Sequence, residues 1–160
     1  MERRIELADI RISNADRPYW PVVAALYGES FDEPWPLVSI ENLLAPSGCW
    51  ALLAECAKDE VLHPAGFLLA RVVCEEAEVL SVGVAPDFRR LGVAQALMAA
   101  VSAQARTAGA KMIFLEVGAD NAAAEQLYKK LGYVEIGRRK NYYRRANREL
   151  VDALIMKSML

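Results

Sequence analysis

The sequence predicts an α/β (α+β) fold: a mixed, mostly antiparallel central sheet of about six to seven strands with one parallel pair. Three observations predict it. Glu78-Val-Leu-Ser-Val-Gly-Val84 is a strand-like run that passes through a Pro-containing turn into a helix carrying Val93, Ala96, Leu97, Ala100 and Val101 at helical spacing. That helix, of roughly sixteen residues, stops at Gly109 and a second apolar run follows over 111–117. Strand, helix, strand implies a right-handed crossover between parallel neighbours. Finally, the apolar runs 49–56 with 66–74, and 133–139 with 152–159, read as two hairpins.

Taken in order, residues 5–12 alternate apolar and charged side chains as a first strand does, with Ile5, Leu7, Ile10 and Ile12 as its apolar members and an offset between the pairs. Asn14-Ala-Asp16 reads as a turn. A helix is expected from Pro18, since proline suits a first turn and Trp20, Val23, Ala24 and Tyr27 share a face. It ends near Phe31, because Asp32-Glu-Pro-Trp-Pro36 carries two prolines that exclude regular helix. A short second helix is expected over 39–44 with Ser39 as its cap. The first hairpin has a longish loop holding Lys58-Asp-Glu60 and His63-Pro64, and Glu75-Glu76 turns the chain into the next strand. Asp120-Asn121 caps a later helix whose apolar face is Ala124, Leu127, Tyr128 and Leu131, and Gly132 ends it.

Composition bounds the function. At 160 residues the chain is expected to form a single domain, 1–160, long enough to bury roughly two thirds of its unfolded surface. With 19 basic and 21 acidic side chains the net charge is −2, which gives no global drive toward nucleic acid or an acidic membrane. The three cysteines lack a C-x-x-C pair and His63 is the single histidine, so neither a metal site nor a disulfide framework is expected. The charged beginning Met1-Glu-Arg-Arg-Ile-Glu6 has no apolar core of a leader, and no apolar run approaches the roughly 18 residues that span a bilayer. A cytoplasmic protein, monomer or weak dimer, is expected.

The turn after Val84 holds Arg89-Arg90-Leu91-Gly92-Val93-Ala94, with small residues where a helix begins. A helix amino end offers unpaired N–H groups and the positive end of its dipole, so the turn forms a cradle for a pyrophosphate. The same six residues also suit an ordinary connection with solvated arginines. The turn is neither G-x-G-x-x-G nor a P-loop, so dinucleotide and nucleoside-triphosphate sites fit poorly. The pattern V-x-P-x-x-R-R-x-G-x-A at the end of a strand resembles motif A of the GNAT superfamily of N-acetyltransferases. The resemblance implies helices on both faces of the sheet, a parallel pair splayed for the cofactor, and a loop that grips the pyrophosphate of acetyl-coenzyme A.

Glu116 sits in the apolar strand Met112-Ile-Phe-Leu-Glu-Val117, pointing the same way as Met112 and Phe114. Burying a carboxylate is costly, so a central-strand glutamate tends to have a role; alternatively it emerges at the strand end to pair with an arginine. Asn121 and Tyr128 are seven apart, two helical turns, and share a face. They fall in Asn121-Ala-Ala-Ala-Glu-Gln-Leu-Tyr-Lys-Lys-Leu-Gly-Tyr133, which looks like the second GNAT signature, N-x-x-A-x-x-L-Y-x-x-x-G-[FY]. Together with Leu115-Glu116-Val117, Pro34-Trp35 and Arg139-Lys140-Asn141-Tyr142-Tyr143, the two signatures resemble the bacterial ribosomal-protein N-terminal alanine acetyltransferases.

That resemblance implies residue roles. The backbone of Val82, Gly83 and Val84 would pair with the pantetheine arm of acetyl-coenzyme A. The amides of Arg89, Arg90, Leu91, Gly92, Val93 and Ala94 would hold its pyrophosphate, and Asn121 would also touch it. Glu116 matches the glutamate that draws a proton from the incoming amine through water, and Tyr128 the tyrosine that protonates the departing thiolate. Trp35 and Tyr142 would line the acceptor slot. A protonated α-amine, with a pKa of about 7.7–8.0, attacks a thioester only after losing a proton, which is why the set holds both an acceptor and a donor.

The chain departs from that subfamily where Tyr143-Arg-Arg-Ala-Asn-Arg-Glu149 replaces Tyr-Tyr-Pro and an acidic loop, and where Pro36 replaces serine. Between Arg138 and Arg148 lie six basic residues and no acidic one, a run that suits a solvated hairpin loop or contact with an acidic peptide or RNA. The expected function is transfer of acetyl to a protein N-terminal α-amine, of a ribosomal protein for instance. The alternatives are acetylation of a small amine or lysine side chain, or a non-catalytic acyl-coenzyme A binding module.

Overall fold

Six consecutive residues, Ala65 to Ala70, are buried on both sides of their backbone, which places their strand at the centre of the molecule. The computed structural model describes residues 9–160. Within them the strands are β1 (Ile10–Asn14), β2 (Cys49–Lys58), β3 (Val61–Val73), β4 (Glu76–Val84), β5 (Met112–Gly118), β6 (Val134–Arg144) and β7 (Leu150–Met159). The helices are α1 (Trp20–Ser30), α2 (Leu37–Leu44), α3 (Val93–Thr107) and α4 (Ala122–Lys130). The strands form one sheet in the order β1-β2-β3-β4-β5-β7-β6, with β4 and β5 as its parallel pair.

Two apolar layers hold this sheet. On one face Val93, Leu97, Met98 and Val101 of α3, with Tyr128 of α4, pack on Leu52, Leu68, Ile113 and Met156. On the other, Val23 and Tyr27 of α1 and Ile40 of α2 pack on Leu53, Phe67 and Leu69. Side chains as fully buried as Phe67, Leu68 and Ile113 are each worth roughly 1.5–3 kcal/mol over exposure, and the alternation of buried and half-buried residues along β5 fixes its register.

Several local expectations change. The strand expected over 5–12 lies partly outside the described residues, and its described part runs through Asn14, which was expected to turn. The first hairpin has a two-residue turn: Asp59 and Glu60, with φ of 53° and 63°, adopt the left-handed pair whose twist matches the flanking strands. His63 and Pro64 therefore lie inside β3, and a register shift opposite Ala54 and Glu55 accommodates the proline. The second helix starts at Leu37, because Pro36 at φ −67° already presets its entry and no side chain caps it; Ser39 is inside the first turn. Much of the basic run is strand, since β6 continues to Arg144.

Candidate active site

The site begins where the parallel pair comes apart. β4 and β5 pair only through Glu76 with Met112, Ala77 with Ile113 and Glu78 with Phe114, although both strands run on. The cause is visible in β4. Its register with β3 shifts between Leu69 and Ala70, so that Leu80 is an extra residue facing no partner of its own, and such a bulge bends the strand. Residues 79–84 and 115–118 thus present facing strand edges whose backbone groups do not pair with one another, a slot into which an extended ligand can add hydrogen bonds.

The carboxyl end of β4 leads directly to the amino end of α3. A single 3-10 turn, Pro86–Phe88, delivers the chain to Arg89, whose Nε donates to the Val84 carbonyl at 3.1 Å and closes the loop on itself. Arg90 and Gly92 then take positive φ, 63° and 87°, and Gly92 is the N-cap of α3 with no side chain capping it. The first-turn N–H groups of α3 are therefore left without a side-chain cap, an arrangement that suits an anion. Glycine sets the depth of the seat from beneath as well: a Cβ on Gly66 would lie 2.8 Å from the Gly83 carbonyl oxygen and 3.1 Å from Val93 Cγ1. A Cβ on Gly83 would lie 2.6 Å from the Phe67 ring and 2.9 Å from Ser30, so α1 ends directly over β4.

On the other side of the slot, Ile113, Leu115 and Val117 of β5 are buried under α3 and α4, which turns Met112, Phe114 and Glu116 to the opposite face. Glu116 is about a quarter exposed, at 24%, and its Oε1 lies 3.0 Å from Nε of Arg139. The arginine partner considered from sequence is thus present. Arg139 in turn lies 5.2 Å over the Tyr142 ring. Glu116 and Arg139 border an open groove of about 460 Å³ that continues past Phe114, Ile155 and the Arg71–Glu78 ion pair.

Asn121 and Tyr128 share α4 but not an environment. Asn121 is its exposed N-cap, with Oδ1 accepting from the Ala124 N–H at 3.2 Å, which leaves its NH₂ for other acceptors. Tyr128 is 6% exposed, its ring 5.9 Å from that of Tyr133, and its phenol is pushed up to about 12, chiefly by burial and then by Tyr133 and Tyr143. The hydroxyl stays protonated at neutral pH.

Two further walls complete the site. In the α1–α2 connection, Trp35 stacks on Tyr27 at 5.2 Å, and Tyr27 stacks on Phe67 at 5.2 Å and meets Phe31 at 4.6 Å. The Pro-Trp-Pro segment is therefore anchored through Tyr27 onto Phe67 of β3. In β6, Tyr142 is half exposed, whereas the less exposed Tyr143 has a phenol pushed up to about 12 by burial and then by the Glu116 carboxylate. Tyr143 is the residue sequence reasoning missed: adjacent tyrosines on a strand face opposite ways, and only the register of β6 on β7, Tyr143 opposite Val151, decides which one faces inward.

Among the described residues no group of three or more His, Cys, Asp or Glu is placed to hold a metal ion. A mixed sheet parted within its parallel pair, with an uncapped helix amino end at the mouth of the gap, is the architecture of an acyltransferase fold. The chain belongs to the GNAT acetyltransferase family, whose model matches residues 11–133. It is similar to a ribosomal protein bS18-alanine N-acetyltransferase of Salmonella typhimurium, 40% identical over 92 residues, 58% of this chain and 62% of that one. The match thus spans about three fifths of that relative's length. A putative ribosomal protein bS18-alanine N-acetyltransferase of Bacillus subtilis is 29% identical over 156 residues, covering 98% of this chain and 96% of its own. The crystal structure of the ribosomal-protein-S18-alanine N-acetyltransferase from Escherichia coli superposes with a TM-score of 0.84 at 27% identity, over 94% of this chain and 93% of that one.

Proposed function

We propose that this chain is an acetyl-coenzyme A dependent N-acetyltransferase, working as one domain in the cytoplasm, that acetylates the N-terminal α-amino group of a protein of the ribosomal-protein-alanine type. The observation that carries the reading is the parted β4–β5 pair opening at the uncapped start of α3, with Glu116 on the neighbouring strand edge. The names of the similar proteins support the protein acceptor.

The residues present fit the cofactor. The free edge of Val82, Gly83 and Val84 can take an extended amide-bearing arm as an added strand. The left-handed pair Arg90 and Gly92 turns the following amides toward one point, as a pyrophosphate requires. The Asn121 NH₂, free of its capping duty, is a further donor. When bound, acetyl-coenzyme A supplies an acetyl group activated as a thioester.

The chain's own residues do the rest. Arg139 fixes the Glu116 carboxylate, which accepts a proton from the incoming ammonium through water. Tyr128 keeps its Oη proton at neutral pH, and in this reading it gives that proton to the departing thiolate. Trp35, Tyr142 and the inward Tyr143 border the acceptor. Peptides with a free N-terminal Ala or Ser should turn over faster than N-blocked, lysine-containing counterparts. Equal rates, or a preference for polyamines, would assign the chain to small-amine or lysine acetylation instead.

A further inference from the structure

Three walls of the acceptor side meet at one cation. Arg145 opens the tight loop between β6 and β7, which closes on itself through Arg145 N–H to Glu149 C=O and Arg148 N–H to Arg145 C=O, each 2.9 Å. Its guanidinium donates twice to one carboxylate, Nε to Asp120 Oδ2 at 2.8 Å and Nη2 to Asp120 Oδ1 at 2.6 Å. The same group lies 5.1 Å over the Tyr143 ring and is within electrostatic reach of Asp32 in the α1–α2 connection. Asp120 directly precedes the N-cap of α4. Space for this pair is built into β5: a Cβ on Gly118 would collide with Arg145 Nη2 and lie 2.6 Å from Asp120 Oδ1.

The pair is poorly placed to serve stability. Its side chains are 37% and 44% exposed, and exposed ion pairs add little to folding. Its geometry is nevertheless bidentate and stacked, which fixes direction rather than energy. What it fixes is the hairpin bearing Tyr143, against the turn bearing Asn121.

We propose that Arg145 and Asp120 form a positioning clasp that holds Tyr143 in the acceptor slot and sets the β6–β7 hairpin in register with the cofactor end of α4. The kinetic consequence rests on the acetyltransferase reading above; the structural consequence does not. With the clasp open, the acceptor wall swings while the cofactor cradle of α3, which the pair does not touch, keeps its shape.

The test uses the full chain as Arg145→Ala, Arg145→Lys, Asp120→Asn and the swap Asp120→Arg with Arg145→Asp. Arg145→Ala should raise the peptide KM about tenfold, with kcat and coenzyme A affinity within about twofold, since a KM rise at unchanged kcat is the mark of a lost binding contact rather than a lost catalytic one. Arg145→Lys keeps the charge without the fork and should fall between, and the swap should recover part of the loss. Independently of activity, amide exchange should quicken over 143–149 in Arg145→Ala and stay unchanged in α3. An unchanged peptide KM with unchanged exchange overturns the clasp, as does a loss that merely follows thermal stability or that Arg145→Lys restores in full. If the parent acetylates no peptide, the acceptor reading fails, and exchange confined to the hairpin still decides the clasp.

Discussion

At the scale of the residue, the proposed mechanism gives Glu116 and Tyr128 opposite proton roles, and their surroundings differ: Glu116 is paired with Arg139 at the groove, while Tyr128 of α4 is buried. Burial keeps the Tyr128 phenol neutral, its pKa pushed up to about 12, so the hydroxyl keeps its proton across pH 6 to 9.5. Tyr128→Phe keeps the ring's packing and removes the proton; the chemical step should slow by roughly 10²–10⁴-fold, with coenzyme A affinity unchanged by calorimetry. Glu116→Gln keeps shape but cannot accept a proton, so its rate should fall and recover partly toward pH 9.5, where more of the acceptor amine is already neutral. Arg139 loses its partner in that variant but is itself 54% exposed, so stability should change by less than about 1 kcal/mol. Parent-like rates for both variants across pH 6 to 9.5 would make the two residues structural.

At the scale of the element, the proposed pyrophosphate cradle rests on a backbone conformation more than on any side chain. Gly92 has φ 87°, which an L side chain adopts at a cost of roughly 1–2 kcal/mol. Gly92→Glu therefore combines strain with a negative charge at the proposed pyrophosphate seat, and Gly92→Ala carries the strain alone. Both should lose similar stability by urea midpoint, while coenzyme A affinity should fall far more in Gly92→Glu. Equal affinities in the two variants would remove the anion site from this loop. The bulge at Leu80 is the complementary element, for it turns β4 away from β5 and so makes the slot that the cradle terminates.

At the scale of the whole molecule, the two apolar layers leave several phenols in or against the core. Tyr128, Tyr133 and Tyr143 are each pushed up to about 12, in every case chiefly by burial. A group whose folded pKa is raised favours the fold while it is protonated. That stability is fully present below about pH 10, the ordinary phenol value, and is lost as pH climbs toward about 12. Urea midpoints should thus fall steeply between those limits, in step with tyrosinate absorbance. A midpoint that stays flat while the absorbance rises would show these phenols to be accessible in the native state.

Much was decided by the sequence alone. The crossover between parallel strands, the uncapped helix start at Gly92, the N-cap at Asn121 and the family itself follow from local pattern: chain direction, turn chemistry and helix capping are set by residues within a few positions of one another. The two-residue turn at Asp59 and Glu60 was hidden because neither is the glycine that left-handed turns usually announce. Other features are written in no local stretch. That Glu116 meets Arg139, that Tyr143 rather than Tyr142 faces inward, and that Arg145 closes on Asp120 depend on how β6 registers on β7 and β7 on β5. A one-residue change of register would exchange the two tyrosines. Register is settled by which faces bury Leu154 and Met156, a property of the packed sheet, and so only the tertiary structure decided who faces whom across the slot.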